Sequence, residues 1–207
     1  MRRKLVAHLR HRGISDERIL AAIEVIPRHC FLDSAFEEKA YEDIALPIAC
    51  HQTISQPYTV AFQTQLIEVQ PGDKVLEVGT GSGYQAAVLA AMGAQVYTIE
   101  RHKQLYAQAK KRLEQLGIKG VYFFYGDGYK GLPQFAPFDK ILVTAGAEQI
   151  PRQLLKQLKV GGMMVIPVGK NVQEMQRIKR LDKETFKKET FGHFRFVPML
   201  PGSEEDE

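Results

Sequence analysis

Ten consecutive residues, Val75-Leu-Glu-Val-Gly-Thr-Gly-Ser-Gly-Tyr84, constrain the fold of this chain more than any other stretch. The run from Lys74 to Val78 is apolar enough for a buried strand, and it meets glycines at alternate positions, Gly79, Gly81 and Gly83. A helix-forming run, Tyr84 to Ala91, follows without a gap. Glycine permits positive φ and lets a ligand lie against bare backbone. The helix start adds unpaired N–H groups and the positive end of the helix dipole. The expected result is a nucleotide-type pocket at the carboxyl end of a first parallel strand.

The spacing bears on the ligand. A dinucleotide loop reads G-x-G-x-x-G, with the third glycine packing the helix against the strand beneath a pyrophosphate. Here the third glycine comes one residue early and Tyr84 stands where that pattern needs Gly or Ala. Glu77 lies two residues before the first glycine. The arrangement resembles motif I of S-adenosylmethionine methyltransferases, whose loop meets an amino-acid tail; NAD and a ligand-free structural turn remain as alternatives. A second apolar strand, Gln95 to Glu100, ends in an acid about twenty residues after the loop, where a carboxylate meets ribose hydroxyls in either cofactor class. A first-turn acid of the following helix is the plainer reading of Glu100.

Around this unit, strands at Lys74–Val78, Gln95–Glu100, Val121–Tyr125, Asp139–Thr144 and Gly162–Val168 alternate with helices near Tyr84–Met92, His102–Leu116 and Ile150–Leu158. Gly117, Gly161 and Gly162 sit where helix C-caps are expected. Met175 to Phe196 reads as two strands around an Asp182-Lys-Glu-Thr185 turn, an antiparallel edge hairpin whose charges discourage further pairing. Residues 1–57 differ: helices at Leu5–Arg12 and Asp16–Ile26, with Ser15 as N-cap, then a polar, proline-punctuated stretch to Pro57 and a helix at Tyr58–Val69. The chain is expected to form one domain, with the N-terminal helical and substrate-loop region over 1–57, a cofactor-binding core over 58–169, C-terminal strands over 170–200 and a frayed acidic tail over 201–207. The fold class is α/β, Rossmann-like, mostly parallel, with helices on both faces.

Bulk properties exclude several classes. The 207 residues are 44% hydrophobic and 25% charged, ordinary for a globular protein, and no apolar run nears the roughly 20 residues that span a bilayer. His8, Arg10, His11 and Arg12 interrupt the start before any signal-peptide core can form, so a cytoplasmic location is expected. Cys30 and Cys50 lack metal-ligand spacing, as do the six histidines, and no bound metal is expected. Ser55 and Ser82 lie outside any Gly-x-Ser-x-Gly elbow, and no Gly-Lys-Ser/Thr follows a glycine loop. Residues 1–30 carry seven Lys/Arg against three acids. Solvated helix faces account for that excess, with RNA contact as the alternative.

Two more segments carry chemistry. In Gly126-Asp-Gly128, closing the third strand, Asp127 suits either an adenine amine or an Asx turn. In Gln52-Thr-Ile-Ser-Gln-Pro-Tyr58, hydroxyl and amide side chains flank Ile54 before a proline, and such groups bind a carboxylate if the loop lies near the glycine pocket. A turn capping the next helix fits the same residues.

Together, Thr53-Ile-Ser-Gln-Pro-Tyr58, Val75 to Tyr84, Thr98-Ile-Glu-Arg101, Tyr125-Gly-Asp-Gly128, Gln157-Leu-Lys-Val-Gly-Gly162 and Val165-Ile-Pro-Val-Gly169 resemble the protein-L-isoaspartate (D-aspartate) O-methyltransferase family over nearly the whole chain. The Thr-Ile-Ser segment is the more specific part, since other methyltransferases share the loop without it. One departure stands out: the family is commonly glycine-rich between Leu-Pro-Ile and Thr-Ile-Ser, whereas Leu46-Pro-Ile48 here leads into Ala49-Cys-His-Gln52. The resemblance implies a repair enzyme that uses S-adenosyl-L-methionine, releases S-adenosyl-L-homocysteine, and esterifies the displaced α-carboxylate of isoaspartyl residues in damaged proteins and peptides; a monomer is expected because the sequence shows no exposed heptad or long apolar surface element. It assigns Ser55, with Thr53 and Ile54, to the substrate carboxylate. Glu77, Gly79, Gly81 and Gly83 go to the methionine portion, Glu100 to the ribose and Asp127 to the adenine, with Thr80 and Gly128 completing the cofactor set. Neither nucleic acid nor membrane is an implied partner. The rivals are an RNA methyltransferase, an NAD-dependent oxidoreductase and a non-catalytic cofactor-binding module.

Overall fold

The computed structural model describes residues 1–204. The chain opens with α1 (Arg2–His11) and α2 (Glu17–Val25), passes through a two-residue-per-strand hairpin, β1 (Leu46–Pro47) and β2 (Thr53–Ile54), and enters α3 (Pro57–Ile67). A Rossmann-like series follows: β3 (Lys74–Val78), α4 (Tyr84–Ala91), β4 (Gln95–Glu100), α5 (Lys103–Gln115), β5 (Val121–Tyr125), β6 (Phe138–Val143), α6 (Arg152–Gln157) and β7 (Leu158–Val168). β8 (Gln173–Arg180) and β9 (Phe186–Phe194) complete a seven-stranded sheet in the order β5-β4-β3-β6-β7-β8-β9. β3 to β7 pair in parallel; β8 and β9 are antiparallel, forming the expected edge hairpin. Asp182 shapes its turn by accepting from the N–H groups of Glu184 and Thr185, both at 2.9 Å.

Strand alternation divides the core. Val75, Val96, Leu142 and Val165 face α1–α4 and Leu113 of α5, whereas Leu76, Ile141, Val143 and Ile166 face Leu154 of α6 and Phe138. On that second face the β5–β6 connection contains only a short 3-10 turn, and Tyr97, Phe124, Phe135 and Phe138 pack as an aromatic cluster over the sheet. From β3 the chain first winds outward to β4 and β5, then crosses to β6 and β7. The direction therefore reverses between β3 and β6, and the crevice at their carboxyl ends is where doubly wound sheets bind ligands.

Three expectations need correction. Asp16, not Ser15, caps α2, its Oδ1 accepting from Arg18 N at 2.9 Å. Gly161 and Gly162 do not end a helix; they lie inside β7, where the pairing with β6 shifts register. A Cβ on Gly162 would sit 2.7 Å from the Asp139 carbonyl oxygen, so close strand approach explains that glycine. Finally, residues 201–204 are tied down rather than frayed: Glu204 N donates to Arg101 O at 2.7 Å, and its carboxylate meets His102 Nδ1 at 2.8 Å and Arg101 Nη1 at 3.2 Å. Residues 205–207, the rest of the expected acidic tail, lie outside the described residues.

Candidate active site

The glycine loop adopts the backbone its sequence calls for, with φ of +98° at Gly79 and +87° at Gly83. The turn at Gly79 is held from both sides of the switch point. Gly79 N donates to Ile99 O at 2.9 Å, and Thr144, directly after β6, donates its hydroxyl towards the carbonyls of Val78 (3.0 Å) and Gly79 (2.7 Å). Added to Gly79, a Cβ would lie 2.6 Å from that hydroxyl. Gly83 serves packing: a Cβ there would meet Leu113 of α5 at 2.8 Å.

A cleft of about 950 Å³, measured to its open mouth, sits on this loop. Gly79 to Ser82 and Glu100 to His102 line it, together with an apolar group, Val78, Ile99, Gly128 and Met199, in which Val78 and Met199 approach Gly128 closely. Thr53, Ile54 and Ser55 line it as well, with Val60, Tyr84 and Gln85. The structure thus gathers Thr53, Ile54, Ser55, Gly79, Thr80, Gly81, Glu100 and Gly128 around one cavity. Glu77, Gly83 and Asp127 do not line it. Asp127 accepts from Tyr129 N at 2.9 Å, the Asx-turn arrangement its glycine neighbours also allowed.

Glu100 is braced. Its Oε2 accepts from Gly81 N at 2.8 Å and its Oε1 from His102 N at 3.0 Å, so the carboxylate couples the glycine loop to the start of α5 while each oxygen keeps a lone pair for the cleft. Glu77 is fully buried beneath the loop. Thr98 donates to its Oε2 at 2.5 Å, and the Thr80 hydroxyl, 2.6 Å from that of Thr98, completes a chain from loop to strand. Burial pushes the Glu77 carboxyl up to about 8, against the pull of the Thr98 hydrogen bond and with a smaller push from Glu100. Its Oε1 has no partner.

The Ser55 segment is positioned from the N-terminal helices. Asp43 accepts from Tyr58 N at 2.8 Å, capping α3 just after Ser55, from His8 of α1 at 3.1 Å and from Arg12, which follows α1, at 2.5 Å. The Arg12 guanidinium also lies 3.6 Å from the centre of the Tyr58 ring. The hairpin tip before Thr53 places Cys50 (φ +56°) and His51 (φ +54°) in the left-handed region, which glycine accepts without strain. The backbone shape at this departure from the resembling sequences is therefore made here by non-glycine residues. Ile48, beside that tip, overlies Gly81.

The sequence did not point to the last wall. Val197 to Leu200 line the cleft because this segment is strung along Gly146: Gly146 N donates to Val197 O and Met199 N to Gly146 O, both at 2.8 Å, and the Tyr129 hydroxyl donates to Met199 O at 3.1 Å. Ser82 and Gln85 were likewise not singled out as ligand residues; their position at the start of α4 was their only signal.

The arrangement fits a ligand with a flat ring, a diol and an amino-acid tail, because an apolar group, a braced carboxylate and the glycine loop with its helix start line a single cleft. With a parallel switch-point sheet ending in an antiparallel hairpin, the fold and cleft define a Rossmann-like class I methyltransferase. The family model for protein-L-isoaspartate(D-aspartate) O-methyltransferase matches residues 1–204. The chain belongs to that family. It is 58% identical over 199 residues to the protein-L-isoaspartate O-methyltransferase of Christiangramia forsetii, covering 96% of this chain and 93% of that one. The Paracoccus denitrificans enzyme of the same name is 50% identical over 196 residues, 94% and 90% of the two chains. Among solved structures, a protein-L-isoaspartate O-methyltransferase superposes with a TM-score of 0.88 at 34% identity, covering 96% of this chain and 65% of that longer one. A Plasmodium falciparum structure named for the same activity, in complex with S-adenosyl-L-homocysteine, has the same fold: TM-score 0.83, 24% identity, covering 95% and 97% of the two chains.

Proposed function

We propose that this chain methylates the free α-carboxylate of L-isoaspartyl residues in damaged proteins and peptides, using S-adenosyl-L-methionine, and so initiates their repair through a succinimide. The observation that carries this reading is the meeting of Ser55 with the Gly79–Gly81 floor in one cleft. Of two remote motifs, one suits a carboxylate and the other an adenosyl amino acid. The bound cofactor supplies an electrophilic methyl on a sulfonium.

The chain needs no general base for this chemistry. A carboxylate with a pKa of about 4 is already ionised at neutral pH. What remains is alignment and exclusion of water, and alignment alone is worth up to roughly 7–11 kcal/mol. Ser55, whose hydroxyl has no hydrogen-bond partner among the described residues, donates to the substrate carboxylate; Thr53 and Ile54 shape the seat, with Ile54 rooted in the core. Gly79, Thr80 and Gly81 take the amino-acid tail, Glu100 the ribose, and Gly128 with Ile99 and Met199 the ring. Glu77, Gly83 and Asp127 act from outside the cleft by holding its floor, helix and turn.

We read the chain as one methyltransferase unit acting as a cytoplasmic monomer. Among the described residues no helix is long and apolar enough to cross a membrane, and the large exposed apolar side chains stand far apart in sequence. Binding of nucleic acid is disfavoured because six of the seven basic residues in positions 1–30 already have partners or are buried within the chain: Arg2, Arg3, Arg10, Arg12 and Arg18 are hydrogen-bonded or ion-paired, mostly at the surface, and Arg28 is buried.

The test is transfer of label from methyl-labelled cofactor to two peptides of identical sequence, one aspartyl and one isoaspartyl. Label should enter the isoaspartyl peptide alone. No label in either, at saturating cofactor, refutes the function.

A further inference from the structure

One residue that lines the cleft carries a buried, unpartnered polar atom that neither the carboxylate seat nor the glycine loop uses. Gln85, the second residue of α4, is 7% exposed and lines the wall beside Ser55 and Val60. Its amide has a determined orientation. Thr64 donates its only hydroxyl proton to Val60 O at 2.7 Å, so the Thr64 oxygen can only accept, and it accepts from Gln85 Nε2 at 2.9 Å. That fixes Oε1 at the opposite end of the amide, where it is buried without a partner. A buried carbonyl left unpaired costs about 1–3 kcal/mol, and a ligand N–H removes that cost.

Resting on the cofactor reading, we infer that Gln85 Oε1 accepts a hydrogen bond from the α-ammonium of the cofactor's amino-acid tail. Gln85 leans towards α3, which packs on β6 and β7, whereas Glu100 ends β4 and Gly128 follows β5 on the far side of β3, so the adenine amine and ribose hydroxyls fall away from Gln85. The tail has one donor group and one acceptor group. Its carboxylate would repel Oε1 but suits the orphan N–H groups at the start of α4. The wall therefore sorts the two ends of a zwitterion: backbone N–H for the carboxylate, a pinned side-chain carbonyl for the ammonium.

Calorimetry with two ligands tests this: S-adenosylhomocysteine and its analogue with the amino group replaced by hydrogen. The wild-type protein should favour the amino ligand by roughly tenfold or more, as for a hydrogen bond to a charged group. Gln85→Leu should lose most of that preference by weakening the amino ligand, while the analogue binds within about threefold of wild type on the same reasoning. Equal losses for both ligands overturn the assignment, because they mark a packing defect. Unchanged binding of both with a raised KM for the isoaspartyl peptide also overturns it, since the donor is then on the substrate. Should Gln85→Leu not fold, Thr64→Val carries the test: the amide is freed to turn, and the preference should fall severalfold, whereas full retention refutes the pinning. Failure of wild-type protein to bind S-adenosylhomocysteine at all refutes the cofactor reading itself and is seen before any variant is made.

Discussion

Substituting Glu77 by Gln should change the pH dependence of stability in a direction the structure dictates. In the ligand-free fold the carboxyl is held up at about 8 from its ordinary 4.5. Below pH 4.5 the proton is bound in both folded and unfolded chains, and Glu77 adds no pH dependence. Between 4.5 and 8 the unfolded chain releases it and the folded chain keeps it, so wild-type stability falls by about 1.4 kcal/mol per pH unit. Above 8 both forms are ionised and the loss levels off, at roughly 5 kcal/mol as a ceiling. Gln cannot titrate. Its Nε2 would occupy the position where Oε1 has no partner, adding a cost of about 1–3 kcal/mol that is the same at every pH. The informative quantity is therefore the slope of the difference. Urea denaturation of both proteins without ligand, at unit steps from pH 5 to pH 9, should show Glu77→Gln gaining on wild type by a few kcal/mol up to pH 8 and then holding level. A constant difference, or a variant that loses ground as pH rises, would refute the reasoning that Glu77 is a dry, protonated strut.

Ser55→Ala should lower kcat about 10- to 100-fold, as for a hydrogen bond to a charged group, with the S-adenosylhomocysteine Kd nearly unchanged by calorimetry; a large loss of cofactor binding would place Ser55 elsewhere. Glu100→Ala should weaken cofactor binding by about 1.5–3 kcal/mol and also increase hydrogen exchange at Gly81 and His102, whose N–H groups it accepts; tighter or unaltered binding would remove it from the ribose site. Gly79→Ala should cost about 1–3 kcal/mol in thermal or chemical denaturation, from the strained φ and the close Thr144 hydroxyl, and adding Thr144→Ala should recover part of the loss.

Much of the fold was legible because its strands announce themselves twice, by apolar runs and by the turn residues that end them. β3, β4 and β5 begin and end at the expected residues. β7 does not, since its first four residues follow backbone pairing with β6, which no side-chain pattern records. β1 and β2 were invisible for a different reason: two residues cannot show a period. In the site, the glycine loop and the Thr53–Ser55 segment could be read as chemistry, but not the fact that Asp43 anchors one to the N-terminal helices. Val197 to Leu200 reach the cleft through main-chain hydrogen bonds to Gly146, which leave no mark in the side chains of Val197 and Met199. Asp127 shows the limit of motif reading, because two glycines beside an acid describe a turn as well as a ligand site.

The paired left-handed residues Cys50 and His51 carry a consequence for how this enzyme meets its clients. A polyglycine rim would flutter among many shapes and stiffen only when a peptide arrived, surrendering affinity to that ordering. Side chains at both positions shrink the set of shapes the tip can sample, so the hairpin whose Ile48 overlies Gly81 is largely cast before a client appears. Selection then falls on whether the client's backbone already bends enough to enter.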